Sequence, residues 1–235
     1  AKRITVNLAP ADLPKEGGRF DLPIAIGILA ASDQLDGSRL KQFEFVGELA
    51  LTGELRGVHG VIPAILAAQK AKRSPIIAYQ NANEASLVSE QETYFAKNLL
   101  EVVQFLNNQE KLPLASLLVQ ESAVGFSAKN HLDLTDIIGQ QHAKRALTIA
   151  AAGQHNLLFL GPPGTGKTML ASRLTALLPE MTDLEAIETA SVTSLVQNEL
   201  NFQNWKQRPF RAPHHSASLP ALVGGGTIPK PGEIS

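Results

Sequence analysis

The chain has 235 residues, 44% of them hydrophobic and 18% charged, enough to bury sizeable cores and to fill two globular units rather than one. Its 21 basic and 22 acidic side chains leave a formal net charge of −1, which excludes a global electrostatic footprint for nucleic acid and confines any such contact to a local patch. Without cysteine there are no disulfides or thiolate metal centres, which fits a cytoplasmic protein, and no apolar run approaches the roughly 18 residues that span a bilayer.

In chain order, Ile4 to Leu8 predicts a strand, Leu22 to Ala31 a helix, and Phe43 to Leu49 a second strand. Val61 to Ala71 reads as an alanine-rich helix and Ile76 to Tyr79 as a buried strand. Glu84 to Ser89 and Leu99 to Phe105 read as helices flanking a short strand at Thr93 to Phe95. Strands alternating with helices argue for an α/β layer architecture. The polar run Asn107-Asn108-Gln109-Glu110-Lys111 breaks this pattern. We therefore expect a first domain over 1–106, a linker over 107–131 and a second domain over 132–235.

In the second domain Leu157-Leu158-Phe159-Leu160 reads as a buried strand feeding Gly161-Pro162-Pro163-Gly164-Thr165-Gly166-Lys167-Thr168. The latter fits the phosphate-cradling pattern G-x-x-x-x-G-K-[ST] at every constrained position. The glycines let backbone N–H groups turn onto phosphates, Lys167 reaches the β- and γ-phosphates, and the Thr168 hydroxyl can ligate magnesium. Met169, Leu170, Leu174, Leu177 and Leu178 then recur at helical spacing, with Pro179 as the stop. An incidental lysine in a Gly/Pro-rich turn leaves that strand-loop-helix context unexplained. A nucleoside triphosphate is the expected ligand.

Upstream, Asp136-Ile137-Ile138-Gly139-Gln140 precedes a helix holding Ala143, Ala146, Leu147 and Ala150. Here the sequence resembles the AAA+ ATPases, and the resemblance implies that Ile138 and Gly139 border the adenine. On its own the segment would read as an ordinary helix-capping turn. The only methionines are Met169 and Met181, so Ala1 is not a translation start and the first domain is expected to lack its N-terminal part. A P-loop NTPase also needs a later apolar strand ending in an acidic residue. Met169 to Ser235 holds no such run, so the second domain is expected to be the N-terminal part of a P-loop fold, cut before that strand.

The final segment carries Arg208-Pro209-Phe210-Arg211-Ala212-Pro213-His214-His215-Ser216-Ala217-Ser218, then Gly224-Gly225-Gly226 and Pro231-Gly232-Glu233-Ile234-Ser235. With the P-loop ahead of them, these motifs resemble the YifB/ComM-type magnesium-chelatase-like proteins. The resemblance implies a bacterial cytoplasmic AAA+ ATPase that uses ATP and Mg2+ and assembles as a homo-hexameric ring. It also implies promotion of DNA branch migration during natural transformation, with nucleotide and DNA as partners and no membrane. Hydrolysis is expected of the full-length protein and not of this stretch alone. Between Asn201 and Ser235, Lys206, Arg208, Arg211 and Lys230 stand against Glu233, a local excess of three that suits phosphate contacts to DNA. A solvated loop is the alternative. His214 and His215 point to opposite sides of an extended segment with no third ligand evident, so no metal is expected there.

The first domain resembles the Lon-protease C-terminal fold, particularly as it occurs in bacterial RadA-type proteins. Pro14-Lys15-Glu16-Gly17 matches the approach to the Lon serine, and Phe45-Val46-Gly47-Glu48-Leu49 with Thr52-Gly53-Glu54-Leu55-Arg56 matches the neighbouring strand and turn. The serine position holds Arg19, or Asp21 with a shift, and His59-Gly60-Val61-Ile62-Pro63 stands where the family lysine follows a glycine pair. A Ser/Lys dyad needs a hydroxyl beside a desolvated amine, so protease activity is not expected. Ser32 with Lys70 is a conceivable displaced dyad between two common residues. A chelatase subunit acting on a porphyrin fits the ATPase half alone. The expected fold is therefore α/β, a Lon-like domain followed by a truncated P-loop NTPase domain of the AAA+ type.

Overall fold

Alternating apolar segments in the first hundred residues build a small parallel sheet with helices packed on it. A computed structural model describes residues 3–8, 18–88, 92–114, 132–196, 205–226 and 229–234. One unit is formed by Ala1–Val124, Ile187–Leu200 and Ser218–Ser235, the other by Gly125–Ala186 and Asn201–Ala217.

In the first unit the elements run α1 (Asp21–Ala31), β1 (Phe43–Val46), β2 (Glu48–Leu49), β3 (Leu55–Arg56), α2 (Val61–Lys70), β4 (Ser74–Ala78), α3 (Ala82–Ser86), β5 (Tyr94–Ala96) and α4 (Leu99–Leu106). The parallel sheet has the order β1-β4-β5, with Phe43 opposite Ser74 and Ile76 opposite Tyr94, while β2 and β3 form an antiparallel hairpin. Parallel neighbours require crossovers, and α2 and α3 supply them. Val61, Ile62, Ile65 and Ala68 put one face of α2 wholly inside. Leu22 and Ile26 of α1 join Phe43, Leu55, Ile76, Val102 and Leu106 in one core. The start of α4 is fixed reciprocally: Asn98 Oδ1 accepts the Glu101 N–H at 3.0 Å, and Glu101 accepts the Lys97 N–H at 2.7 Å.

Several expectations are corrected. Residues 3–8 form no strand, and Ile4, Val6 and Leu8 are 41%, 49% and 40% exposed; no neighbour among the described residues takes up their backbone groups. The strand expected over Phe43 to Leu49 divides at Gly47, whose N–H turns to the Arg19 carbonyl (3.3 Å) and whose carbonyl accepts the Leu22 N–H (3.2 Å). A Cβ there would make ordinary contact with Leu55 and Leu22, at 3.5 and 3.7 Å. Tyr79 leaves β4 for a short 3-10 turn, and the helix expected from Glu84 already starts at Ala82; Ser89 lies outside the described residues. Within the expected linker, Leu112 is buried, the Phe95 N–H donates to the Pro113 carbonyl (3.2 Å) and Leu114 bridges Tyr94, so 113–114 pairs with β5; 115–131 lie outside the described residues.

In the second unit a capped 3-10 turn (Leu134–Asp136) leads into the helix Gln141–Gly153, which buries Leu147, Ala150 and Ala151. Residues 157–160 form no strand, with Leu158 and Leu160 at 77% and 86% exposed; no described residues pair with them, and a strand exists only through its partners. The helix expected after the loop is broken into Lys167–Ala171 and Leu174–Leu177. Ser172 Oγ (2.9 Å) and Arg173 Nη1 (3.2 Å) both claim the Met169 carbonyl at the break, side-chain competition of the kind that bends helices. Leu178 is extended, as a residue before proline must be, which makes Pro179 the stop.

Candidate nucleotide site

The loop 161–168 closes around its own lysine. Lys167 Nζ donates to the Gly161 carbonyl at 2.9 Å and the Pro162 carbonyl at 2.7 Å and lies 3.4 Å from Thr165 Oγ1, which itself donates to Pro162 at 2.9 Å. Gly164 and Gly166 have φ of +79° and +84°, and an added Cβ would meet nothing within 4 Å at either. Glycine is thus required by backbone conformation, not by crowding. Gly161, Pro162, Pro163, Gly164, Thr165 and Thr168 are all exposed, and Thr168 lies in the first turn of the helix that Lys167 begins. These residues fit a phosphate chain with its magnesium: an accessible cradle, an ammonium at its centre and a hydroxyl beside it.

The turn before helix Gln141–Gly153 sits against this loop. Ile137 is buried and Ile138 is 96% exposed, because Gly139 (φ +72°) and Gln140 (φ +56°) both take the left-handed conformation and throw the chain outward. Gln140 Nε2 reaches the Thr165 carbonyl at 3.4 Å, and Lys144 Nζ donates to the Ile137 carbonyl. An exposed apolar side chain tethered to a phosphate cradle is what stacking against a base requires.

The basic residues of the last segment have different surroundings. Arg208 Nη2 contacts both Glu185 oxygens at 3.2 and 3.3 Å, and its Nε donates to the Pro179 carbonyl at 2.9 Å. Lys206 Nζ pairs with Asp183 Oδ1 at 2.7 Å. Two of the four cations behind the local excess are thus met by carboxylates from elsewhere in the sequence. Arg211 is exposed, and Lys230 is exposed in a bridge with Gly225. The Thr182 amide, then Arg208, hold the Glu185 carboxyl below its ordinary range. Glu185 also caps the helix Asp183–Ser194 together with Thr182, through bonds of 2.8 and 3.3 Å. No expectation above covers this helix, although Thr182-Asp183-Leu184-Glu185 carries the capping-box spacing. His214 Nδ1 lies 2.6 Å from Ser216 Oγ, and its ring packs on His215 at 4.1 Å.

At the Lon-like positions the three side chains have different surroundings. Asp21 Oδ2 accepts the Leu49 N–H at 3.3 Å, the Arg19 guanidinium lies over the Phe20 ring at 5.8 Å, and His59 is exposed ahead of α2. Ser32 Oγ donates to the Ile28 and Leu29 carbonyls at 2.9 and 3.1 Å, closing α1.

Two family models match: "Magnesium chelatase, subunit ChlI" over residues 133–235 and "Subunit ChlI of Mg-chelatase" over residues 1–81. The chain is 90% identical over 235 residues to the competence protein ComM of Haemophilus influenzae, and 55% identical over 237 residues to the protein YifB of Salmonella typhimurium. Both alignments cover 100% of this chain and 46% of the relative, so the chain spans about half their length. An archaeal Lon protease of Archaeoglobus fulgidus is 43% identical over 73 residues, 31% of this chain and 12% of that protein.

Proposed function

The chain belongs to the YifB/ComM-type magnesium-chelatase-like family, and we propose that it binds ATP with magnesium as part of an AAA+ ATPase that drives DNA branch migration in natural transformation. The observation that carries the nucleotide reading is the closed loop around Lys167, with carbonyls at 2.9 and 2.7 Å. Gly161, Gly164, Thr165 and Gly166 offer backbone N–H groups, Lys167 sets positive charge against the phosphates, and Thr168 offers the magnesium ligand. Ile138 and Gly139 border the base. Bound magnesium neutralises phosphate charge. The likeness to a protein named for competence supports the DNA reading, and of the four candidates Lys206, Arg208, Arg211 and Lys230 the exposed Arg211 and Lys230 are its contacts. A cytoplasmic homo-hexamer without protease activity, built from domains at 1–106 and 132–235 around a linker, completes the proposal.

Lys167→Ala removes the phosphate-directed charge and leaves the backbone cradle. Affinity for fluorescent ATP should fall by about tenfold or more, the scale of one charge-assisted bond. Unchanged affinity would remove the P-loop assignment. These 235 residues alone should release phosphate near background, because Met169 to Ser235 supplies no apolar strand ending in an acid to poise water. A malachite-green assay at high turnover would place those groups elsewhere. The second reading, an AAA+ protein acting on a substrate other than DNA, is favoured by the ion pairs that occupy Lys206 and Arg208.

A further inference from the structure

The turn at Ile138–Gly139 has little packing of its own to fix it, since Ile138 is 96% exposed and a Cβ on Gly139 would touch nothing within 4 Å. Polar tethers must hold it, and one of them comes from the break in the helix that follows the phosphate loop. Arg173 Nη2 lies 3.4 Å from Asp136 Oδ2, two residues before Ile138. The arginine side chain is only 12% exposed, and its Nη1 is held by the Met169 carbonyl at 3.2 Å and Ser172 Oγ at 3.0 Å. The same Asp136 oxygen accepts the Asp133 N–H at 3.0 Å, which closes the capped turn. Exposed ion pairs contribute little because both partners must be ordered, but here the guanidinium is already immobilised by its own helix. Asp136 therefore docks onto a preset cation.

We propose that Arg173 and Asp136 are positioning residues that hold the base-bordering turn in register with the phosphate loop, so that base and phosphates are bound as one ligand. Arg173 lies six residues beyond Lys167, on the segment the phosphate loop itself initiates. The pair joins the two halves of the site through the protein. Preset geometry of this kind raises affinity by removing ordering that binding would otherwise have to supply. The inference rests on the nucleotide reading above, and inorganic tripolyphosphate, which has no base, separates the two.

The intact protein should bind ATP more tightly than tripolyphosphate. Arg173→Met, which keeps the apolar stem, should lower ATP affinity by about tenfold, within the usual range for coupled neighbours, and leave tripolyphosphate affinity within about twofold. Asp136→Asn, which keeps an acceptor for the Asp133 N–H, should give a smaller loss in the same direction, and it serves as the test where Arg173→Met does not fold. Equal losses for both ligands, or no loss for either, overturn the proposal and leave the pair a purely structural contact. Failure of both ligands to bind the unmodified protein overturns the nucleotide reading, and this inference with it.

Discussion

Tyr94 shows how one side chain registers the packing around it. Its ring lies 4.8 Å from Phe105 and 6.2 Å from Phe43, with the Arg39 guanidinium over both phenylalanines at 5.6 and 5.5 Å. Burial, then the hydrogen bond to the Glu92 carboxylate, pushes the Tyr94 hydroxyl up to about 12 from an ordinary 10.0. The neutral form is the one the fold stabilises, so this contribution is complete below pH 10 and is lost as pH rises from 10 towards 12. The chain has 2 tyrosines, so Tyr79→Phe leaves Tyr94 as the sole source of tyrosinate absorbance. Its titration should have a midpoint near 12, and a midpoint near 10 would mean that the ring is solvated.

At the scale of elements, capping decides where the helix Asp183–Ser194 begins. Thr182→Ala removes the hydroxyl that accepts the Glu185 N–H at 3.3 Å and should cost about 1 kcal/mol in urea unfolding, the usual value of an N-cap. Glu185 titrates below its ordinary value of 4.5, held first by the Thr182 amide and then by Arg208. Its contribution is therefore present above that pH and lost as pH falls through the lowered value, and Glu185→Gln should blunt the acid limb of the unfolding curve. The capping-box spacing of Thr182-Asp183-Leu184-Glu185 marks the start of this helix without a sequence expectation having used it, whereas α1, α2 and α4 were legible in their apolar spacing. Local chemistry suffices where a cap or a buried face defines an element. It fails for Ile4 to Leu8 and Leu157 to Leu160, whose apolar runs say strand while the strand itself depends on partners that sequence pattern cannot name. In the candidate nucleotide site the loop 161–168 was readable as a pattern, since Gly161, Gly166, Lys167 and Thr168 hold its constrained positions. The Arg173–Asp136 contact was not, because nothing in the spacing of 37 residues announces it.

For the molecule as a whole, the choice of substrate turns on which charges face outward. Lys206 and Arg208 sum to zero with Asp183 and Glu185, at 2.7 and 3.2 Å, so their long-range attraction for a polyanion is largely cancelled. Arg211 and Lys230 are the exposed cations of the last segment, and Glu233 is its one acid. If the protein binds DNA through phosphates, the combined Arg211→Ala and Lys230→Ala variant of the full-length protein should weaken binding to branched DNA uniformly across sequences. It should also flatten the dependence of log affinity on log salt by about two, roughly one per phosphate contact removed. Arg208→Ala should instead destabilise the start of the helix Asp183–Ser194 and change the salt slope little. A fluorescence-anisotropy titration at several salt concentrations, run beside a thermal melt, separates these effects. Should Arg211 and Lys230 be removed without changing DNA affinity while ATP turnover or ring assembly fails, the segment belongs to subunit contacts, and the DNA-facing surface lies in another part of the protein.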